Sequence, residues 1–205
     1  GYKTDGLFTT KEEVANSANQ SGKGLGRIRY VDVNGDGTIN QKDMTWLGSD
    51  QPKFQGSVNL NISYKAFDLS LLTIGMVRNA FNNSKFYTDF FQLWTGNHSS
   101  RLLDAWTPEN SVSSIPALTA VNLNDEGRMS EYFIEDGSFM KIKNIAIGYT
   151  VPKAIVEKVK LRNLRLYVQA QDLLTITRYT GADPEGLGYP YPLPRTFTFG
   201  LNLGI

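Results

Sequence analysis

The sequence predicts an all-β fold made of antiparallel strands. Five segments along the chain alternate apolar and polar residues with a period of two, which is typical of strands whose two faces differ. Two of these segments are separated only by Lys65 and Ala66, as in a tight β-hairpin. No stretch approaches the roughly eighteen apolar residues that a membrane-spanning helix requires, which excludes helical spans.

The clearest strand is predicted over residues 57–64, where every even-numbered residue is apolar or aromatic and every odd-numbered residue is Ser or Asn. The segment 67–76 starts with the same alternation and loses it at Leu72. The other three strands are predicted by their alternation over residues 139–151, 164–172 and 195–204.

Two architectures fit these strands. Their polar faces hold Asn, Ser, Thr, Gln and Gly rather than many charges, which suits the inner wall of a wet transmembrane barrel. Each segment has about ten residues, the length with which a tilted strand crosses a bilayer. A soluble antiparallel sandwich produces the same alternation, and periodicity alone favours it because soluble sheets are commoner.

Composition narrows the function classes. The 205 residues carry 21 basic and 20 acidic side chains, so no basic surface for nucleic acid is predicted. The absence of cysteine excludes disulfides, thiolate metal sites and a cysteine nucleophile. The single histidine, His98, is predicted to be a solvated loop residue. Without a nucleophile elbow, phosphate loop or zinc motif, the sequence does not predict an enzyme.

The connection over residues 77–138 is long, lacks a clear strand pattern and is therefore predicted to be a functional loop. It is rich in aromatic residues, and residues 85–94 are predicted to form a short helix. These aromatic side chains suit either ligand stacking or packing within the loop, and packing is favoured for most of them. Trp94 and Trp106 are the candidates for contact with a ligand or partner.

Residues 32–43 match the twelve-residue oxygen-donor loop of EF-hand type. Gly37 lies where that loop turns sharply, and position twelve is an Asp instead of the usual Glu. The flanks are not helical, so the match concerns the loop alone. Asp, Asn and Gly also form tight turns without a metal, which stays an open alternative. The predicted Ca²⁺ ligands are Asp32, Asn34, Asp36, Thr38, Asn40 and Asp43.

Several stretches, taken together and in this order, resemble the C-terminal region of the SusC/RagA family of TonB-dependent transporters. The most specific are Asp-Gly-Ser-Phe at residues 136–139 and Thr-Gly-x-Asp-Pro-Glu at residues 180–185. The resemblance extends over nearly the whole chain and is carried by residues 1–8, 32–40, 64–70, 106–110, 135–144, 147–149, 169–177 and 179–185.

The resemblance implies that the chain is the C-terminal part of a large antiparallel transmembrane β-barrel in the cell outer membrane, with long extracellular loops. Residues 1–54 are then an extracellular loop segment, and residues 55–205 are the last barrel strands with the long loop 77–138. The final residue, Ile205, departs from the aromatic residue that usually ends such barrels.

The resemblance also implies partners. The whole transporter would import oligosaccharides or peptides beneath a SusD-like lipoprotein lid, contact the TonB complex through a part upstream of this chain, and be surrounded by outer-membrane lipid. Five strands do not close a barrel, so this piece alone is expected to expose sheet edges and an apolar face. The alternative function is a soluble, calcium-stiffened β-sandwich that binds carbohydrate or mediates adhesion.

Overall fold

The computed structural model describes residues 1–93, 96–186 and 193–205 and confirms the all-β class, with 39% of residues in strands and 14% in helices. The strands are β1 (Thr4–Leu7), β2 (Ile28–Tyr30), β3 (Phe54–Tyr64), β4 (Phe67–Val77), β5 (Asn79–Phe81), β6 (Ile134–Asp136), β7 (Phe139–Thr150), β8 (Asn163–Thr177) and β9 (Thr196–Gly204).

The helices are short. They are α1 (Lys11–Asn16), α2 (Lys85–Thr88) and α3 (Lys153–Val156), with 3-10 turns at Gln41–Asp43, Ser100–Asp104, Glu131–Phe133 and Glu157–Val159. Among the described residues, no helix has the length and apolar character needed to cross a membrane.

The five predicted strands form one antiparallel sheet in the order β3-β4-β7-β8-β9. The predicted hairpin is confirmed, because Tyr64 pairs with Phe67 across a two-residue turn in which Lys65 adopts a φ of 54°. Within the described residues, β3 and β9 each keep one unpaired edge. The sheet is therefore a section of wall and does not close on itself.

A bulge in β7 determines which side chains share a face. Pairing with both neighbouring strands slips between Ile142 and Asn144, leaving Lys143 as the irregular residue. Strict alternation from Ile145 would turn Lys141 and Lys143 onto the apolar face, and the bulge turns them onto the polar face instead. Opposite this bulge, strand β8 is irregular at residues 172–173. Strand β8 continues to Thr177, beyond the predicted end at residue 172.

Residues 1–53 and the segment of residues 78–93 and 96–138 pack together into what we call the loop subdomain. It contains two small antiparallel sheets, β1-β2 and β5-β6. Helix α1 begins with a capping box in which Thr10 and Glu13 satisfy each other's backbone amides. The buried core draws on both segments and comprises Leu7, Ile28, Tyr30, Phe90, Trp106 and Phe133.

The long connection is more ordered than its sequence pattern predicts. The predicted helix over residues 85–94 is wrong in extent, because α2 has a single turn that ends at Thr88. Packing of its aromatic residues is confirmed: the Phe86 and Phe133 rings stack with centroids 4.4 Å apart, and Phe90 is 1% exposed. Contact between aromatic residues that are distant in sequence organises this segment, which explains why no local period indicates its structure.

Candidate functional site

One face of the five-stranded sheet is apolar from edge to edge. Strand pairing aligns Leu60, Leu71 and Ile145 in one row. Val58 is 66% exposed and Phe199 is 77% exposed on this face. Contiguous apolar surface of this extent marks a contact with lipid or with another protein surface. Further exposed apolar residues on the same face are Ile62, Ile147, Leu166, Val168, Phe197, Leu201 and Leu203.

The opposite face is polar, and charged groups near one end of it form an ion pair. Arg165 Nε donates to Asp68 Oδ1 at 2.9 Å, and its guanidinium lies over Gly148. The Tyr167 ring lies against Gly200 in the same manner. A Cβ atom at either glycine would overlap the group above it. The two glycines therefore make room for side chains that lie across the sheet.

Residues 179–185, which we call the strap, fold back over the other end of the polar face. Lys141 Nζ lies 3.1 Å from Asp183 Oδ1 and 2.9 Å from Glu185 Oε2, and the residue is only 2% exposed. Lys143 Nζ donates to the same Glu185 oxygen at 3.0 Å and to Asp172 at 3.0 Å. Charged side chains this buried require partners of opposite charge, and the strap supplies two of them.

The strap is also tied to the loop subdomain. The Thr180 amide and hydroxyl donate to Glu135 at 2.9 and 2.8 Å, and Lys85 Nζ lies 2.9 Å from the same carboxylate. Burial raises the pKa of Glu135, but the Thr180 amide and the Lys85 ammonium outweigh it and hold the pKa below its ordinary value. Arg78 donates to the carbonyl of Pro184. The strap thus joins the sheet to the loop subdomain.

The predicted calcium loop folds into consecutive tight turns closed by its own side chains. Asp32 accepts from the backbone amides of Gly35 and Gly37 at 2.8 and 2.7 Å, and both glycines have positive φ, 74° and 79°. Asp43 is fully buried and accepts from the Asn40 amide at 2.7 Å. That hydrogen bond is the main cause that lowers the pKa of Asp43.

The remaining predicted ligands lie in the same turns. Asn34 Oδ1 accepts from the Asp36 amide at 2.8 Å, and the Thr38 carbonyl accepts from Asn40 at 2.9 Å. Oxygen donors of these types suit Ca²⁺. In the part of the chain that the structure describes, no three His, Cys, Asp or Glu side chains form a group suited to a metal. The hydrogen bonds equally fit a metal-free turn, so calcium binding stays a prediction.

The tryptophans have different surroundings. Trp106 is 6% exposed and packs in the core of the loop subdomain, where its ring touches Gly26. This placement gives Trp106 a packing role and does not support the predicted direct contact with a ligand or partner. Trp94 lies outside the described residues. Trp46, which no sequence pattern singles out, is 78% exposed and borders an apolar cavity of about 420 Å³ beside Phe81.

Comparison with known proteins decides between the two architectures. No protein-family model matches the chain. Over 222 residues the chain is 33% identical to the TonB-dependent receptor P3 of Formosa agariphila, covering 99% of this chain and 21% of the receptor. Over 210 residues it is 31% identical to the TonB-dependent receptor SusC of Bacteroides thetaiotaomicron, covering 99% of the chain and 20% of SusC.

The homologues of this chain are TonB-dependent receptors of the SusC type. The resemblance to the SusC/RagA family is thereby confirmed, and the chain spans about a fifth of the length of these relatives. The solved structure of the RagAB peptide transporter superposes on the whole chain with a TM-score of 0.74 at 22% identity, covering 22% of that structure's chain. The SusC-type homologues are transporters and not enzymes.

This likeness confirms that the five strands are a section of a transmembrane barrel that is not closed within the chain. The β-sandwich alternative is wrong, because no second sheet packs on the apolar face of the SusC-like sheet within the described residues. In such a barrel the apolar face is turned to lipid and the polar face to the lumen.

The ion pairs of the polar face have no counterpart in the predictions from sequence. Asp183 and Glu185 neutralise two lysines of the barrel wall, Lys141 and Lys143. A signal was present, because Lys141 and Lys143 lie in a strand that is otherwise almost free of charge. Their partners are about forty residues away in sequence, so only the fold identifies them.

Proposed function

We propose that this chain forms part of the barrel wall and extracellular loops of an outer-membrane TonB-dependent importer of oligosaccharides or peptides. The observation that carries the proposal is the sheet with one open apolar face and one polar face on which charges are paired. Lipid covers the apolar face, and the polar face lines the path of the substrate.

The partners of the whole transporter belong to the same proposal. A SusD-like lipoprotein would cover the extracellular side, and the TonB complex would supply energy through a part of the transporter outside this chain. The likeness to SusC and to the RagAB peptide transporter supports these partners. Since the loop subdomain is the largest folded segment beyond the barrel wall, it is the region expected to face the lid.

A pair of neighbouring substitutions tests the orientation of the wall in the full-length transporter in outer membranes. Leu60 and Asn61 are neighbours in β3 whose side chains lie on opposite faces, and this chain contains no cysteine. The two variants are Leu60→Cys and Asn61→Cys. We expect a water-soluble maleimide to label Asn61→Cys and a membrane-soluble maleimide to label Leu60→Cys. Equal labelling of both positions by the water-soluble reagent contradicts the proposal.

The size of the isolated chain provides a second test. Without detergent, its apolar face and open edges should drive it into large assemblies, which a mild detergent should disperse. Light scattering with and without detergent measures this. A monomer in plain buffer means that the apolar residues are covered by protein, and it contradicts a lipid-facing wall.

We also propose that the loop of residues 32–43 binds Ca²⁺ and stiffens the loop subdomain. The spacing of its oxygen donors supports this. Calcium chloride should raise the thermal stability of the full-length transporter, and Asp36→Ala should abolish this rise. The control Asp5→Ala, which also removes an exposed carboxylate, should show the same rise as the wild type. If the calcium-dependent rise persists in Asp36→Ala, residues 32–43 form a turn that does not bind the metal.

A further inference from the structure

The connection between β7 and β8, which we call the basic turn, comprises residues 152–162. It consists of α3 and the 3-10 turn Glu157–Val159, which ends at Lys160 with a φ of 61°. The two-residue hairpin at residues 65–66 lies at the same end of the sheet, and the loop subdomain lies at the other end. Since the short turns of outer-membrane barrels lie on the periplasmic side, the basic turn belongs to that side of the wall.

The basic turn concentrates positive charge. Its one acidic residue is Glu157, and none of its basic side chains forms an ion pair with a described residue. At the other end of the sheet, by contrast, Lys141 lies 3.1 Å from Asp183. Cations that are close together and lack an acidic partner attract anions. The basic side chains of the turn, all exposed, are Lys153, Lys158, Lys160 and Arg162.

The same turn exposes apolar side chains among these cations. Ile155 is 56% exposed and Val159 is 63% exposed, and they are separated by about one helical turn. Val156 between them is only 1% exposed and anchors the turn to the end of the sheet. Apolar side chains flanked by lysines are typical of segments that lie in the interface between lipid and water, where the lysine stems lie along the lipid and the ammonium groups reach the headgroups.

The apolar face of the wall extends to the basic turn. Leu203 is 54% exposed on this face and pairs with Leu164. The Arg162 amide donates to the Gly204 carbonyl at 2.8 Å, so strand pairing continues to Arg162, two residues before Leu164. At about 3.3 Å per residue, the backbone of Arg162 lies about 7 Å from the row of Leu164. The turn therefore begins where the lipid-facing surface ends.

Aromatic side chains mark the same height on the apolar face. The rings of Phe67 and Tyr149 lie 4.8 Å apart, and Tyr64, which pairs with Phe67, is 68% exposed. Aromatic residues at this position of a barrel strand lie at the level of the lipid headgroups. The strands on either side of the turn, β4 and β9, belong to this chain, so the barrel strands outside the chain do not adjoin the turn along the wall.

We propose that the basic turn binds the phosphate headgroups of anionic phospholipids in the membrane leaflet at its end of the barrel. The unpaired cations complement the charge of these headgroups, and the apolar wall beside them accommodates the acyl chains. A free phosphate ion would use the charges alone and would leave Ile155 and Val159 in water, so these two residues favour a lipid. The proposal rests on the lipid-facing wall and not on the imported substrate.

The test uses the purified full-length transporter, stripped of lipid in detergent and titrated with phosphatidylglycerol or with phosphatidylcholine of the same acyl chains. Native mass spectrometry counts the bound lipids. The wild type should bind phosphatidylglycerol more tightly. The variant Lys153→Gln/Lys158→Gln/Lys160→Gln/Arg162→Gln should weaken phosphatidylglycerol binding about tenfold or more and leave phosphatidylcholine binding unchanged, because it removes only the charges.

A matched variant removes four exposed lysines of the loop subdomain, Lys3→Gln/Lys11→Gln/Lys42→Gln/Lys53→Gln, and should bind both lipids like the wild type. Ile155→Ser/Val159→Ser should weaken the binding of both lipids. Heat-modified mobility on gels confirms that each barrel is folded.

Three results would overturn the proposal. One is an unchanged preference for phosphatidylglycerol in the variant of the basic turn, and another is an equal loss in the variant of the loop subdomain. The third is displacement of phosphatidylglycerol by inorganic phosphate but not by chloride at the same ionic strength, which would assign the turn to free phosphate. None of these results bears on substrate import, and the cysteine pair at residues 60 and 61 tests the orientation of the wall separately.

Discussion

The loop subdomain and the five-stranded sheet differ in where their apolar side chains are placed. In the loop subdomain, Phe8, Ile28 and Phe133 are fully buried, each at 0% exposure. In the sheet, Phe199 and Phe197 are 77% and 59% exposed. The loop subdomain is thus organised like a small water-soluble domain, whereas the sheet has no core of its own.

The charged residues show the same division. Glu126 in the loop subdomain is fully buried, lies 2.8 Å from Arg27 and also accepts from the Ile28 amide at 3.1 Å. On the sheet, Asp68 and Arg165 pair with about a third of each side chain exposed. A single sequence can therefore be adapted to two different environments. The loop subdomain buries its apolar side chains away from water, whereas the sheet is suited to lipid on one side and water on the other.

The largest expected effect comes from breaking the buried pair of the loop subdomain. Glu126→Ala leaves the Arg27 guanidinium buried without its carboxylate, which costs about 3–5 kcal/mol. Hydrogen exchange of the full-length protein should show loss of protection in β2. The exposed pair of Asp5 and Arg29 provides the control, and Asp5→Ala should cost less than about 1 kcal/mol. Equal loss of protection in both variants would remove the contrast between buried and exposed pairs.

A smaller effect is expected in the sheet, at Gly200. Gly200→Ala places a methyl group against the Tyr167 ring and should destabilise the barrel by about 1–3 kcal/mol. Gly75→Ala in the same sheet is the control, because its Cβ would lie 3.7 Å from the nearest atom. Unfolding in detergent by urea measures both. If Gly200→Ala is as stable as Gly75→Ala, the ring is free to move aside.

The smallest effect is the pH dependence of the strap. Because the pKa of Glu135 is lowered in the folded protein, its contribution is fully present above the ordinary value of 4.5 and is lost as pH falls through the lowered value. The protection factor of the Thr180 amide, which is the exchange rate corrected for its intrinsic pH dependence, should therefore be constant from about pH 8 to pH 5 and should fall at more acidic pH. Glu135→Gln should remove this pH dependence, and a change near neutral pH would point to another group.

The sequence predicts the strands of the sheet far better than it predicts the loop subdomain, because a strand's pattern can be read from neighbouring residues alone. A strand's faces repeat every two residues, so the pattern at residues 57–64 alone indicates β3. The loop subdomain places Leu7 and Phe133 in one core and pairs Arg27 with Glu126, and no local period indicates neighbours that are so far apart in sequence. The same limit hid the burial of Trp106, which as a loop aromatic suited either ligand contact or packing.

The sequence by itself determined the all-β class, the five wall strands, the two-residue hairpin and the resemblance to the SusC/RagA family. All of these depend on short-range patterns or on motifs that keep their order. Only the tertiary structure decided that, among the described residues, no second sheet covers the apolar face, that a bulge turns Lys141 and Lys143 onto the polar face, and that the strap neutralises them. These features depend on which strands pair and in what register, and strand pairing brings together residues that are far apart along the chain.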